Sequence, residues 1–192
     1  DGTVKLYAWD DKDPILKAWM SAFPGVVKPK SEIPANILSH MRYPEDMYKV
    51  QRDMLASYHV TDPKTFFQGN DRWDVPNDPS VDTRKQAPYR LTVMPKTGED
   101  PVFSLTSTYV PSKRNNLAAF MSVGANAADP KTYGKFNILR LPDNTQVPGP
   151  GQIANQFQRD DQVAQQLLAF KRADVKALYG NLLTLPVGGG LL

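Results

Sequence analysis

The sequence predicts an α+β fold, in which an antiparallel β-sheet carries several short helices packed on one side. Between residues 13 and 71, apolar residues recur at helical spacing and prolines separate the segments. Between residues 88 and 141 the apolar period changes to two, which is typical of antiparallel strands. A second helical stretch follows at 151–178, and a strand-like segment closes the chain at 181–192. We therefore expect a single α+β domain over residues 1–192.

The helical lobe at 13–71 carries clear start signals. Asp13-Pro14 and Asp62-Pro63 each place a capping carboxylate before a proline at the first helical position. Trp19 lies on the apolar stripe of the helix that follows Asp13, so we expect its side chain to be buried. The strongest helix follows Pro44. Its apolar stripe, which predicts the buried face, consists of Met47, Val50, Met54 and Tyr58. Lys49, Arg52 and Asp53 fall on the other side of this helix.

The β-meander at 88–141 is predicted to contain four antiparallel strands. Segments 89–94 and 102–107 alternate apolar and polar residues on either side of a short polar turn, which indicates a hairpin. Segments 117–123 and 136–141 supply the remaining two strands. The strand-like segments 3–9 and 181–187 bracket the rest of the chain, and we expect both to pair within the same sheet.

Residues 70–86 are predicted to form a long polar loop, the place where a ligand is most expected. Trp73 is the candidate ligand contact in this loop. Clustered oxygen ligands suit a hard cation such as Ca²⁺, the one cofactor that the sequence suggests. The candidate calcium ligands are Asp71, Asp74, Asn77 and Asp78, with Asp82 close by in sequence. Their spacing does not match the EF-hand loop, and Asp and Asn before prolines also form turns, so the local sequence favours turn chemistry.

Composition excludes several classes of site. The chain has no cysteine, which rules out disulfides, thiolate catalysis and iron–sulfur clusters. Net charge is +3 without any long run of like charges, so we expect no nucleic-acid partner. There is no Gly-x-Ser-x-Gly motif for a nucleophilic serine. His40 and His59 lie near helix ends, where a capping role is favoured over catalysis.

Two further patterns admit a functional alternative. Acids that could pair for glycoside chemistry are Asp10, Asp11, Asp13, Glu45 and Asp46. Helix capping and first-turn positions account for these residues without catalysis. The segment 148–151, Pro-Gly-Pro-Gly, could present backbone N–H groups to an anion, but its prolines remove donors, and a rigid reversal into a helix is favoured.

Both ends of the chain suggest continuation. Asp1-Gly2 is a hairpin-turn dipeptide with no strand before it, and the Gly188–Gly190 run is followed only by two leucines. We expect the chain to be a piece of a longer protein, with residues 1–2 and 188–192 weakly anchored or in contact with other molecules.

Several peptides, taken in order, resemble uncharacterised protein family 0182, a family of large bacterial multi-pass membrane proteins with a long soluble extracytoplasmic region. The most distinctive are the segments 6–10 (LYAWD), 22–25 (AFPG), 28–34 (KPKSEIP), 42–46 (RYPED), 50–52 (VQR), 58–60 (YHV), 73–76 (WDVP), 145–152 (TQVPGPGQ) and 179–191 (YGNLLTLPVGGGL).

This resemblance implies a place at the cell membrane, with this segment on the extracytoplasmic side. The implied partners are the remainder of the same polypeptide, including its transmembrane helices, and envelope components. It implies no reaction and no catalytic residue. We therefore expect a non-catalytic module for assembly or ligand contact. The alternative is an envelope hydrolase that acts on glycan or lipid through the paired carboxylates.

Overall fold

The computed structural model describes residues 2–94, 98–142, 144–171, 178–187 and 190–191. Within these ranges the predicted α+β class is confirmed, with an antiparallel sheet and six α-helices. The helices are α1 (Pro14–Ala22), α2 (Ala35–His40), α3 (Glu45–Tyr58), α4 (Pro63–Gln68), α5 (Pro150–Arg159) and α6 (Asp161–Lys171). The strands are β1 (Leu6–Ala8), β2 (Val27–Pro29), β3 (Trp73–Asp74), β4 (Asn77–Asp78), β5 (Val81–Lys85), β6 (Tyr89–Val93), β7 (Val102–Pro111), β8 (Ala119–Gly124), β9 (Phe136–Arg140), β10 (Pro186–Val187) and β11 (Gly190–Leu191).

The predicted meander forms the main sheet. Strands β6, β7, β8 and β9 pair antiparallel in sequence order. The long strand β7 also pairs with β3 through Val110 and Pro111, beyond the part that pairs with β6. Since β8 occupies the opposite edge of β7, β3 and β6 lie end to end along one edge. The sheet therefore has five strands, the four predicted meander strands and β3.

The two bracketing segments do not join this sheet, so that part of the prediction is wrong. β1 pairs in parallel with β2, and β10 pairs antiparallel with β11. A period-two pattern identifies a strand but not its partner. α1 connects β1 to β2, and a helical crossover is the connection that parallel strands require. Part of the glycine run, residues 188 and 189, lies outside the described residues.

The predicted irregular stretch 70–86 also differs, because it contains β3, β4 and β5. β4 and β5 form a small hairpin of their own, with a register shift between Asn77 and Asp78. β3 and β4, of two residues each, are too short for a periodic pattern, and β5 contains one apolar residue, so Asp, Asn and Pro dominate the sequence signal.

The core lies between the inner face of α3 and strands β7 and β8. Its fully buried residues include Tyr48, Leu105, Tyr109, Met121 and Val123. The Tyr48 hydroxyl donates to the Met121 carbonyl at 3.1 Å, and the Tyr109 hydroxyl donates to the Arg52 carbonyl at 2.8 Å. Burial raises the pKa of both tyrosines well above the ordinary value of 10.0, so both hydroxyls stay protonated donors. These bonds fix α3 against the sheet.

The face that α3 buries is not the predicted one. Tyr48, Arg52 and Ala56 are its buried residues, whereas the predicted apolar stripe is exposed. Trp19, also predicted to be buried, is 59% exposed. Tyrosine and arginine can be buried when their polar ends find partners, and a hydrophobicity pattern does not register that.

None of the helices in the described ranges combines the length and apolar character needed to cross a bilayer.

Candidate functional site: uncovered apolar surfaces on the helical lobe

Helix α3 presents a second apolar face away from the core. We call this face the α3 stripe; it consists of Met47, Val50, Met54 and Tyr58, which are 52–68% exposed. At about 100° per residue, its centre lies roughly 155° around the helix from the buried face. Charged residues occupy the sector between them, with Lys49 bonded to Glu45 and Asp46. A helix that is apolar on two faces is typical of one covered on both.

Helix α1 is still more open, since none of its residues is buried. We call Ile15, Trp19 and Phe23 the α1 stripe; all three are more than half exposed. The Trp19 and Phe23 rings stack on one another with centroids 5.3 Å apart. Asp13 caps the helix by accepting from the backbone N–H of Ile15 at 2.8 Å, as the sequence predicts. The helix is thus well formed locally but contributes nothing to the core.

The strands on either side of α1 form an incomplete sheet. β1 and β2 are a parallel pair with no third strand among the described residues. Parallel sheets are normally covered on both faces, yet Val4 and Leu6, which share one face, are 82% and 51% exposed. β2 carries Lys28 and Pro29, which protect an edge against further pairing. β1 has no such protection, so its outer edge is the one open to another strand.

The total accessible surface agrees with this description. The chain exposes 13544 Å² for a mass of 21.4 kDa. A compact monomer of that mass is expected to expose about 9100 Å². Large apolar side chains on the helices are among the exposed residues, and Phe67 of α4 is 90% exposed. Contiguous apolar surface of this kind marks sites of protein contact.

The predicted calcium ligands are spread over separate local contacts. The Asp71 carboxylate accepts from Arg140 at 3.3 Å, and its residue has a φ of 56°. Asp78 accepts from the Ser80 backbone N–H at 2.9 Å and from Arg84 at 3.3 Å. Asp74, Asn77 and Asp78 line one cavity of about 370 Å³, and Asp71 does not. In the part of the chain that the structure describes, no three acidic or histidine side chains are grouped closely enough to hold a metal.

Trp73 is placed in the core and not on the loop surface. It is 6% exposed because β3 pairs with β7 and brings its ring 5.2 Å from Tyr109. The His59 ring also stacks on Trp73, with ring centroids 3.5 Å apart. The ring nitrogens of His59 lie 2.8 Å from the Leu55 carbonyl and 2.9 Å from the Asp71 carbonyl. His59 thus ends α3, in agreement with the predicted capping role, and ties it to β3.

Four of the five carboxylates considered for glycoside chemistry also have local partners. Asp10 accepts from the Lys12 backbone N–H at 3.0 Å, and Asp13 caps α1. Glu45 bonds Lys49 at 2.9 Å and Arg90 at 3.0 Å. The Lys49 hydrogen bond, aided by the charges of Lys49 and Arg90, lowers the pKa of Glu45 below 4.5. These contacts are structural and give no observation in favour of a hydrolase.

Arg52 is a buried charged residue that the sequence analysis assigned to the side of α3 away from the core. It is 5% exposed and donates to the Gln86 carbonyl at 3.0 Å and to Ser107 Oγ at 3.3 Å. Gln86 in turn donates to the Leu182 carbonyl at 3.0 Å. This chain of contacts joins α3, the sheet and the C-terminal segment. Its role is to connect elements, and no sequence signal distinguishes Arg52 from a solvent-exposed arginine.

Comparison with known proteins places the chain in a family. A family model described as "Uncharacterised protein family (UPF0182)" matches residues 1–170. The chain is 56% identical over 191 residues to a UPF0182 protein of a Nocardioides species, covering 100% of this chain and 19% of the relative. Identities to the UPF0182 proteins of Paenarthrobacter aurescens and Thermobifida fusca are 51% and 50%, again over 100% of this chain and 20% and 19% of the relatives.

The chain therefore spans about one fifth of the length of the curated relatives that it matches. No solved structure matches it. Since the family model covers most of the residues and the identities extend over the whole chain, the chain belongs to the UPF0182 family.

Proposed function

We propose that this chain is a non-catalytic assembly module of a longer UPF0182 polypeptide, and that the α1 and α3 stripes contact the remainder of that polypeptide. The observation that carries the proposal is the α3 stripe. Four large side chains on one face of a helix are exposed while the opposite face of the same helix forms the core. Burying such a face stabilises an assembly by about 25 cal/mol for each Å² of apolar area.

The remainder of the same polypeptide is the occupant that the relatives favour. They are about five times as long as this chain, so four fifths of such a polypeptide lie outside it. A covalently linked partner has a high effective concentration, and its contacts need no diffusional encounter. The stripes are large and apolar, which is typical of permanent interfaces.

The open edge of β1 supports the same occupant. Since β2 is protected by Lys28 and Pro29, a strand supplied by the remainder would pair with β1 and extend the parallel pair into a larger sheet. Such a sheet would cover Val4 and Leu6 with further helices, as parallel sheets require.

The cellular position of the module is part of the proposal. We infer an extracytoplasmic location on a bacterial multi-pass membrane protein, because peptides such as 73–76 and 145–152 resemble the soluble region of this family. Envelope components are the further partners that such a position makes accessible.

Association in trans tests the proposal. The remainder of the longer polypeptide, expressed separately, should co-purify with this chain. Replacing Val50 and Met54 by glutamate should abolish co-purification without lowering the melting temperature of this chain alone, since both side chains are exposed. The matched control replaces Asp46 and Lys49, on the charged sector of the same helix, by alanine, and should leave association intact. Unchanged association of the Val50→Glu, Met54→Glu variant would refute the proposal.

A further inference from the structure

The turn that joins β7 to β8 lies where three cavities meet. Arg114 lines all three, which have volumes of about 370, 200 and 320 Å³. Lys113 lines the first and the third. The third, which we call the basic cleft, lies between this turn and residues 69–72, just before β3. It is built from elements other than the α1 and α3 stripes, so an inference about it does not depend on the proposed function.

Backbone contacts hold this turn on both sides. The Ser112 N–H donates to the Arg72 carbonyl at 2.7 Å, and the Gly149 N–H donates to the Asn115 carbonyl at 3.1 Å. A Cβ on Gly149 would lie 2.1 Å from the Asn115 carbonyl oxygen, so only glycine allows this approach. The Pro-Gly-Pro-Gly segment thus serves as a rigid reversal, as expected, and also clamps the turn. Lys113 and Arg114 are therefore presented from a fixed backbone.

Lys113 itself has an unusual conformation. Its φ of 64° lies in the left-handed region, which glycine adopts freely and a residue with a Cβ adopts at a cost. Backbone strain of this kind concentrates at functional sites. The chain keeps a long cationic side chain at a position where glycine would relieve the strain.

The charges that line the basic cleft are unbalanced. Arg72, Lys113 and Arg114 contribute three positive charges, and Asp71 is the one acid among the lining residues. The Asp71 carboxylate is already bonded to Arg140 at 3.3 Å. None of the three cations forms an ion pair with a described residue; Arg72 has only the Phe66 ring, 5.8 Å from its guanidinium carbon. Ser112 and Asn70 add neutral polar groups to the lining.

We propose that the basic cleft binds a phosphate group. Three like charges around one cavity repel each other, and an anion between them removes that repulsion. Arginine binds phosphate through two parallel N–H bonds, and lysine adds a point charge. A phosphate carries more charge and more acceptor oxygens than a carboxylate, which suits three cations with two neutral groups. The shared chemistry fits both free phosphate and a phospholipid headgroup.

Titration with inorganic phosphate at constant ionic strength, followed by calorimetry and by melting temperature, tests the site. Lys113→Ala with Arg114→Ala should weaken phosphate binding at least about tenfold, because two of the three charge-assisted contacts are lost. The control replaces two exposed cations elsewhere, Lys131 and Lys135, by alanine and should bind phosphate normally. Equal weakening in both variants, or the same melting shift with sodium chloride alone, would show only screening and would overturn the proposal.

A single substitution separates a binding role from a structural one. Lys113→Gly should raise the melting temperature, because glycine accepts a φ of 64° without strain, and should at the same time weaken phosphate binding. Lower stability with unchanged phosphate affinity would contradict the inference. Short-chain phosphatidylglycerol below its micelle concentration distinguishes the sources: tighter binding than inorganic phosphate indicates a lipid headgroup, and equal or weaker binding indicates a soluble phosphate.

Discussion

The main sheet and the helical lobe of this chain differ in how completely they bury their own apolar residues. β8 is buried along its whole length, and β7 over most of its length, under the inner face of α3. Helices α1, α2 and α4 bury none of their residues. Both regions have well-formed local structure, including side-chain caps at the starts of α1 and α4. Local order therefore does not require that a helix contribute to a core.

The largest expected effect contrasts a sheet residue with a lobe residue. Replacing Leu105, which is fully buried in β7, by alanine should lower the free energy of unfolding by about 2–5 kcal/mol, because a cavity remains. Trp19→Ala should change the same free energy by about 0.5 kcal/mol or less, although it removes a larger side chain. Urea denaturation of the two variants measures the difference. Comparable losses would mean that the lobe has a core of its own.

Alanine substitutions at two glycines, one in the sheet and one in a helix, should show the same contrast in stability with smaller effects. A Cβ at Gly124 in β8 would lie 2.1 Å from the Thr132 carbonyl oxygen, whereas a Cβ at Gly151 in α5 meets nothing within 4 Å. We expect Gly124→Ala to destabilise by about 1–3 kcal/mol and Gly151→Ala to be neutral or slightly stabilising. Thermal unfolding distinguishes them, and a tolerated Gly124→Ala would contradict the packing of β8 against the loop that precedes β9.

The ion pairs at the start of α3 should produce a smaller, pH-dependent effect. The pKa of Glu45 is lower in the folded state than 4.5, so ionised Glu45 stabilises the fold. That contribution is present above pH 4.5 and is lost as the pH falls through the lower folded pKa. Glu45→Gln should therefore lower the free energy of unfolding by about 0.5 kcal/mol at pH 7, a size typical of exposed ion pairs. It should also make the free energy of unfolding fall less steeply as the pH is lowered below 4.5. An unchanged slope below pH 4.5 would contradict this role.

The smallest expected effect is that of calcium. Since Asp71 and Asp78 already accept from Arg140 and Arg84, we expect about 1 mM calcium to leave the melting temperature unchanged. A rise in melting temperature that Asp74→Ala removes would instead establish a calcium site beside β4.

Sequence patterns predicted the features that depend on neighbouring residues. Asp13 and Asp62 cap their helices as expected. The meander was predictable because its strands are long enough to show alternation and follow one another in the chain. The strand that pairs with β1 could not be predicted, since pairing depends on contacts between residues distant in sequence.

The two faces of α3 show why the candidate site was missed. Hydrophobicity identified the α3 stripe correctly as apolar but assigned it to the core of this chain. The core instead uses Tyr48 and Arg52, whose polar ends reach the Met121 and Gln86 carbonyls. An apolar stripe predicts burial without saying whether the same chain or another segment provides it.

Methionine oxidation footprinting measures the central claim most directly. Met47 and Met54 are more than half exposed on the α3 stripe, while Met121, 1% exposed in the sheet, serves as an internal reference. With hydrogen peroxide, the isolated chain should oxidise at Met47 and Met54 well before Met121. In the longer polypeptide, we predict that Met47 and Met54 become as protected as Met121. Equal oxidation of Met47 and Met54 in the two proteins would contradict the claim that the remainder of the polypeptide covers the lobe.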